Sequence, residues 1–357
     1  MNADRTAPTP RYQRGAGIIE TMIGILIGLV VILAIYSIFA VSEGYKRTAT
    51  GVADAQVTWL FAQFLLGREI TNAGNGISSA LDELSTCTTT TLKAIPVLIT
   101  DGGNANTSDS FVVFYGVAKR VLTPVYFQTL MASPTDDFRV QSPNGFNAND
   151  QVLAVNPLTG ECDAVRATAV GAPDATGTVT ISHAATSAMY TEDSKLINLG
   201  PVTNAARTLF SVVADQLHST ALKGPALAAP DPSNPLAQNI VLMKAQYGVD
   251  SDNDGDVDSW TAATGGYAVA TVLGFTASQI STIKAIRLAI VVRSDEPDLK
   301  DAALTGQSAV LFNCSANTDA GCPGRLTLDD TSLRDNYRYR IYETVVPMRN
   351  AIWNNIP

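Results

Sequence analysis

Two patterns of hydrophobic positions divide the chain. The stretch Thr21–Val41 has no charged residue, and as a helix it would be about 30 Å long, enough to cross a bilayer. Beyond residue 75, short apolar runs alternate with turn-rich stretches, which is typical of antiparallel strands. The pattern therefore predicts one long helix followed by a β-rich region.

The predicted helix continues past its apolar half. No proline occurs between Gly15 and Pro96 to force a break, and the glycines from Gly67 onward predict an end near residue 72. Five apolar residues at helical spacing predict the face that packs on the core. They are Val57, Leu60, Phe61, Phe64 and Leu65.

The β-rich region contains seven runs with the composition and spacing of strands. The predicted fold class is α+β, with the long N-terminal helix packed on an antiparallel sheet that carries long loops. The predicted strands are Phe111–Tyr115, Gln151–Val155, Thr178–His183, Leu209–Val213, Ile240–Tyr247, Ile286–Val292 and Tyr337–Val346.

The residues that flank the apolar run predict its orientation. Three arginines precede it, so the N-terminal leader should stay in the cytoplasm while the remainder is exported. Glu20 lies inside the apolar run, where a charge costs about 2.5–3.5 kcal/mol and needs a partner or a function. Cleavage between Gly15 and Ala16 would create an α-amine one helical turn away. That amine could pair with Glu20 within one subunit or between neighbouring subunits.

The run from Gly15 to Glu20, GAGIIE, resembles the class III leader site of type IV prepilins. The resemblance implies that prepilin peptidase cleaves after Gly15 and methylates the new N-terminus at Ala16. It also implies that Glu20 guides the subunit into a filament. Ala16 replaces the usual phenylalanine, a departure that bears on methylation and not on cleavage. The alternative is a plain signal-anchor with an isolated glutamate near the membrane face.

Later segments resemble PilW-type minor pilins. They are WLFAQFLLGREITNAGNG, AQYGVDSDNDGDVD, AIRLAIVVRSDE and YRYRIYETVVPMRNAIW. The resemblance implies a pilin-like fold and a place in an initiating or tip complex with other minor pilins, major pilins and a large tip adhesin. It implies a leader at 1–15, a transmembrane and filament-core helix at 16–41, an amphipathic helical half at 42–72 and a β-rich head at 73–357.

This interpretation also predicts the location of the protein. Before assembly it would cross the inner membrane once, with its N-terminus in the cytoplasm, and afterwards it would belong to a surface pilus.

Two alternative functions are compatible with part of the same sequence evidence. A type II secretion pseudopilin has the same kind of N-terminus, and a calcium-dependent surface adhesin could retain the leader as an uncleaved anchor.

Composition argues against two other classes of function. The formal net charge is −9 and there is no basic patch, which disfavours nucleic-acid binding by phosphate neutralisation. The common nucleophile, zinc-protease and phosphate-loop motifs are absent from the sequence, and the two histidines, His183 and His218, lack neighbouring catalytic partners. The sequence therefore predicts a protein that is not an enzyme.

The chain has four cysteines: Cys87, Cys162, Cys314 and Cys322. None forms a C-x-x-C pair, so a zinc site is disfavoured, and an even count on an exported chain favours two disulfides. Cys314 and Cys322 are close enough in sequence to close a small loop, which would leave Cys87 to pair with Cys162. Four free buried thiols remain the alternative.

An acidic segment, DSDNDGDVD, carries the one candidate ligand site. Its carboxylates repel one another unless a cation or wide exposure to solvent relieves them. The first three fit positions one, three and five of an EF-hand-like calcium loop, but position twelve is Thr261 instead of glutamate. Either calcium binds and stiffens the loop, or the segment is a solvated acidic turn. The acidic residues are Asp250, Asp252, Asp254, Asp256 and Asp258.

Overall fold

The computed structural model describes residues 17–88, 93, 95–118, 123–141, 145–203, 207–223, 227, 229–295, 308–312, 325–327 and 337–352. The helices are α1 (Ile18–Asn72), α2 (Leu81–Ser85), α3 (Val269–Val272), α4 (Ala277–Ser281) and α5 (Arg349–Ile352). The strands are β1 (Val97–Thr100), β2 (Ser110–Phe114), β3 (Val125–Tyr126), β4 (Phe138–Gln141), β5 (Asp150–Asn156), β6 (Glu161–Val170), β7 (Thr178–His183), β8 (Lys195–Pro201), β9 (Arg207–Val213), β10 (Gln216–Lys223), β11 (Ala229–Pro230), β12 (Asn234–Gln238), β13 (Ile240–Val249), β14 (Ser259–Ala262), β15 (Ile283–Arg293), β16 (Ser308–Val310), β17 (Arg325–Thr327) and β18 (Tyr339–Pro347).

The predicted fold class is confirmed, because a long apolar N-terminal helix is followed by antiparallel sheets. All seven predicted strands are present as β2, β5, β7, β9, β13, β15 and β18, with ends that differ by three residues or fewer. The chain forms two compact units that divide between Val52 and Ala53. The second of these units is called the head.

The strands of the head form three larger sheets. The first has the order β1-β2-β9-β10-β11, and β12 also pairs with β10. The second has the order β3-β8-β5-β6-β7-β4, and the third has the order β14-β13-β15-β18. Among the described strands, β16 and β17 form a separate pair, and every pairing is antiparallel.

Strand β5 is buried on both of its faces. Leu153 and Val155 belong to the largest hydrophobic cluster, whereas Val152 and Ala154 belong to a second one. Because successive side chains of a strand point to opposite faces, the second sheet lies between two cores. This explains why the sequence of β5 lacks the apolar–polar alternation of a strand with one solvated face.

The part of α1 that belongs to the head packs on the largest core through a buried face of small and large side chains. Trp59 stacks on Tyr342 of β18, with ring centroids 5.1 Å apart and planes 5° apart. The alanines of this buried face bring the helix backbone close to the sheets, and the large side chains fill the space beside them. The buried residues are Ala55, Trp59, Ala62, Leu66 and Ile70.

The predicted core face of this helix is wrong. Val57, Leu60 and Phe64 are 66%, 61% and 66% exposed, and Phe61 is 47% exposed, while Leu65 is half-buried. Two faces of the helix carry apolar residues. The face that contains Ala55 and Ala62 has smaller side chains and fits the sheets more closely. We call Val57, Leu60, Phe61 and Phe64 the exposed stripe.

A tight backbone connection ends the helix. After Asn72, Gly74 adopts a positive φ of 80°, a conformation that glycine reaches at little cost and that commonly terminates helices. The Gly74 amide donates to the carbonyl of Phe114 at 2.9 Å, and the Gly116 amide donates to the carbonyl of Asn75 at 2.6 Å. These bonds attach the end of α1 to the segment around the end of β2.

Candidate functional site

The first part of α1 exposes its apolar side chains. Among the described residues, α1 is the one helix that is long and apolar enough to cross a membrane by length and composition. The most apolar part of α1 is not buried within the protein. An apolar surface of this extent needs lipid or other apolar helices around it.

Glu20 lies in the first turn of α1. Its side chain is exposed, and its amide donates to the carbonyl of Gly17 at 3.0 Å. A carboxylate in the first turn is favourable because unpaired amide groups give the start of a helix a partial positive charge. Gly15 and Ala16 lie outside the described residues, so cleavage and the pairing of Glu20 with a new amine stay predictions.

The acidic segment forms the loop between β13 and β14. These strands pair from Gln246 opposite Ala262 to Val249 opposite Ser259, which leaves residues 250–258 as the connection. The loop is fastened at its start, because the Asp250 amide donates to the carbonyl of Thr282 at 2.9 Å.

Asp250 is the buried member of this loop, with 0% of its surface exposed. Its Oδ2 atom accepts the Gly255 amide at 3.0 Å and lies 3.7 Å from the Nζ atom of Lys284. Its Oδ1 atom is buried and has no hydrogen-bond partner among the described residues. A buried carboxylate oxygen without a partner is costly, because it has lost water and gained no donor in return.

Three of the five aspartates come together. Asp250, Asp252 and Asp254 each present a carboxylate oxygen, and these oxygens lie within 4.8 Å of one another. The Asp254 amide donates to Asp252 at 3.2 Å and the Asp256 amide donates to Asp254 at 2.8 Å, so short turns hold two of the carboxylates in place. Asp256 itself does not join the group.

Asp258 braces the loop. Its Oδ2 atom accepts the amide of Ser251 at 2.7 Å and the Ser251 hydroxyl at 2.5 Å. These hydrogen bonds lower the pKa of the Asp258 carboxyl, since they favour its charged form. Asp258 thus closes the loop on itself and stands apart from the three clustered aspartates.

The acidic loop also lies inside a region that matches a known family. Residues 202–350 match the sequence model of the family described as Type IV Pilus-assembly protein W. This region, about two fifths of the chain, is similar to PilW-type proteins. No curated protein and no solved structure matches it.

The match supports involvement of the protein in type IV pilus assembly. The matched region runs from the connection before β9 to α5, and it contains the acidic loop and nearly all of the two resembling segments that follow it. Together with the family, the exposed apolar helix indicates that α1 anchors the protein in a membrane.

The protein contains one of the two expected disulfides within its described residues. Cys87 and Cys162 are bonded across a sequence separation of 75 residues, with their Cα atoms 5.7 Å apart. The bond joins the segment after α2 to β6, and both residues belong to the largest core. Cys314 and Cys322 lie outside the described residues.

The two histidines of the protein make local contacts. His183 stacks on Phe138 with ring centroids 3.6 Å apart, and the Nδ1 atom of His218 lies 3.0 Å from the hydroxyl of Ser233. These contacts fit the interpretation of both residues as packing and surface histidines.

Sequence reasoning missed the burial of Asp250 and its lysine neighbour. Lys284 is only 1% exposed although it carries a charge. The available signal was its position, because Lys284 is the second residue of β15 and its neighbours Ile283 and Ala285 are apolar. A lysine in such a buried run needs a partner.

Proposed function

We propose that this protein is a PilW-type minor pilin, a structural subunit of the type IV pilus that acts by assembly and not by catalysis. Its leader would be cleaved after Gly15 by prepilin peptidase. The mature chain would then enter the filament as part of an initiating or tip complex. Its partners would be other minor pilins, major pilins and a large tip adhesin.

The observation that carries this proposal is the exposed apolar first part of α1, with Glu20 in its first turn, on a chain that matches a pilus-assembly family. A carboxylate at this position is costly in lipid. The positive α-amine of a neighbouring pilin would relieve that cost on assembly. Basic residues ahead of the helix favour an orientation with the leader in the cytoplasm and the head outside the inner membrane.

The exposed stripe on the head supports the same proposal. Its four large apolar side chains, at helical spacing, are left uncovered by the part of the chain that the structure describes, and exposed apolar patches mark interaction sites. The stripe belongs to the same helix as the apolar first part of α1. We therefore assign it to contact with the helix of a neighbouring pilin subunit.

The proposal is tested by N-terminal mass spectrometry of the protein recovered from membranes and from sheared surface filaments of its native host. A mature chain that begins at Ala16 and is present in the sheared filaments is the expected result. A chain that keeps residues 1–15 and stays with the membranes would overturn the proposal and favour an anchored surface protein. A processed chain missing from the filaments would favour the pseudopilin.

A further inference from the structure

We propose that the loop between β13 and β14 binds one calcium ion through the carboxylates of Asp250, Asp252 and Asp254. Calcium takes oxygen ligands at about 2.3–2.6 Å, so oxygens on one ion lie no more than about 5 Å apart. The three carboxylate oxygens meet this limit, because they lie within 4.8 Å of one another. This proposal does not depend on the role of the protein in a pilus.

The free oxygen of Asp250 is the observation that separates this loop from an ordinary acidic turn. A second buried aspartate of the head, Asp109, provides the comparison. Both of its oxygens are satisfied: Oδ1 accepts from Lys244 at 2.7 Å and from the Gly102 amide at 2.9 Å, and Oδ2 accepts from the Ala245 amide at 2.9 Å. The Oδ1 atom of Asp250 has no such donor in the described part of the chain.

Lys284 does not supply the missing interaction. Its Nζ atom lies 3.7 Å from Oδ2, the other oxygen of Asp250, and Oδ1 accepts no hydrogen bond from any described residue, Lys284 included. It does contribute charge, since three carboxylates and one ammonium leave two negative charges at the site. A divalent cation balances these two charges, whereas a monovalent cation or a bound water does not.

The remaining ligands suit calcium better than magnesium. Asp252 and Asp254 are exposed, and the loop adds backbone carbonyls and access for water. Calcium accepts six to eight oxygens in irregular geometry, while magnesium demands a nearly ideal octahedron and gives up its own water reluctantly. Threonine at the twelfth position removes the usual bidentate ligand, so we expect a dissociation constant of about 0.1–1 mM, as in extracellular modules.

The bound ion would fasten the loop to two strands. Asp250 follows β13 and lies beside Lys284 of β15, and the far end of the loop begins β14, a strand at the edge of the third sheet. A ligand that binds only the folded state stabilises it. The proposed site would therefore fill, and stabilise the head, where calcium is millimolar.

The test is calorimetric titration of the full-length protein in detergent, after treatment with chelator, with calcium chloride and separately with magnesium chloride. One calcium ion should bind per chain, magnesium should bind about tenfold more weakly or worse, and calcium should raise the melting temperature by a few degrees. No calcium binding, several weak sites, or equal affinity for magnesium would each overturn the proposal.

Two variants make the test specific. Asp252→Asn with Asp254→Asn removes two exposed ligand charges without disturbing the buried pair, and it should weaken calcium binding by about tenfold or more. Asp256→Asn removes one charge from the same loop outside the cluster, and its calcium affinity should stay within about twofold of the parent. Comparable losses in both variants would indicate screening of a diffuse acidic turn and would overturn the site.

Discussion

Burial of charged side chains lowers the stability of the head unless the charges are paired. Lys244 and Asp109 are 1% and 3% exposed, and the ammonium donates to the carboxylate at 2.7 Å. Burial raises the pKa of the Asp109 carboxyl, while the neighbouring Lys244 charge and two backbone amides lower it. Burial is the largest of these influences, so the ion pair is retained without a large net gain in stability.

Asp109→Ala should destabilise the head by about 3–5 kcal/mol, because it leaves the Lys244 charge buried without its nearest partner. Replacing the pair together, with Asp109→Leu and Lys244→Met, should recover much of that loss. Recovery should be incomplete, since the amides of Gly102 and Ala245 lose their acceptor. Denaturant unfolding of the full-length protein in detergent measures both variants, and equal losses would contradict this account.

Glu20 is a second single residue with a testable role, and we propose that this role lies in assembly. Glu20→Ala should leave membrane insertion and leader cleavage intact, because it removes a charge from an apolar run. It should lower the amount of protein in sheared filaments about tenfold, the effect of losing an ion pair worth about 1.4 kcal/mol. Quantitative immunoblots of membrane and filament fractions measure this.

Glu43→Ala is the matched control for Glu20. Glu43 lies on the same helix, and its carboxylate is 3.7 Å from Arg47, one turn further along. An exposed pair of this kind contributes little, so this variant should enter filaments normally. Normal entry of the Glu20 variant would contradict the assembly role.

Among the helices and strands, α1 shows that the spacing of apolar residues can predict a helix without identifying its buried face. Periodicity correctly predicted a helix, yet two faces of its head portion are apolar, and periodicity alone cannot rank them. The face with Ala55 and Ala62 is buried, and the face with Leu60 and Phe64 is exposed. The buried face is the one whose shape fits the sheets, since alanine permits close approach. That fit depends on strands that are far away in sequence.

The exposed stripe gives a prediction at this scale. Leu60→Ser with Phe64→Ser should change the stability of the head by less than about 1 kcal/mol, because both side chains are largely exposed. It should lower recovery in sheared filaments more than tenfold, since each buried side chain contributes about 1.5–3 kcal/mol at an interface. Leu158→Ser serves as the control, because Leu158 is 77% exposed on a loop of the head.

Normal recovery of the stripe variant, or an equal defect in the Leu158 control, would contradict assignment of the stripe to subunit contact. A large loss of thermal stability would instead show that the stripe contributes to the fold of the single chain.

The strands differ in how strongly their own sequences predict them. The long, strongly patterned ones, such as β13 and β15, were predictable, because β-branched and apolar runs carry a strong local signal. Strands such as β3, with two residues, depend on their neighbours for pairing and give little signal of their own. The sequence also indicated the acidic loop as a candidate ligand site, and calcium binding there stays a prediction. It could not predict the burial of Asp250, which depends on pairing between β13 and a strand that begins at Ile283.

For the whole head, the disulfide between Cys87 and Cys162 is a long-range constraint. It joins residues 75 positions apart, and both are almost fully buried. In the chain-entropy account, a cross-link over a loop of this length removes about 4 kcal/mol of unfolded-state entropy. The bond therefore contributes on the scale of the marginal stability of a whole domain.

Cys87→Ala with Cys162→Ala should lower the free energy of unfolding by about 2–5 kcal/mol. The melting temperature should fall by several degrees, measured by thermal denaturation of the full-length protein in detergent. Adding reductant to the parent should reproduce most of this loss. An unchanged melting curve in the double variant would contradict a stabilising role for the bond.

The same disulfide makes the stability of the head depend on the redox state of the compartment. Thiols stay reduced in the cytosol, and disulfides form in oxidising compartments. A newly made chain therefore lacks the Cys87–Cys162 bond for as long as its head remains on the cytosolic side of the membrane. In the orientation that we propose, translocation and completion of the fold would be one sequence of events, and the head would gain its full stability only after it has crossed the membrane.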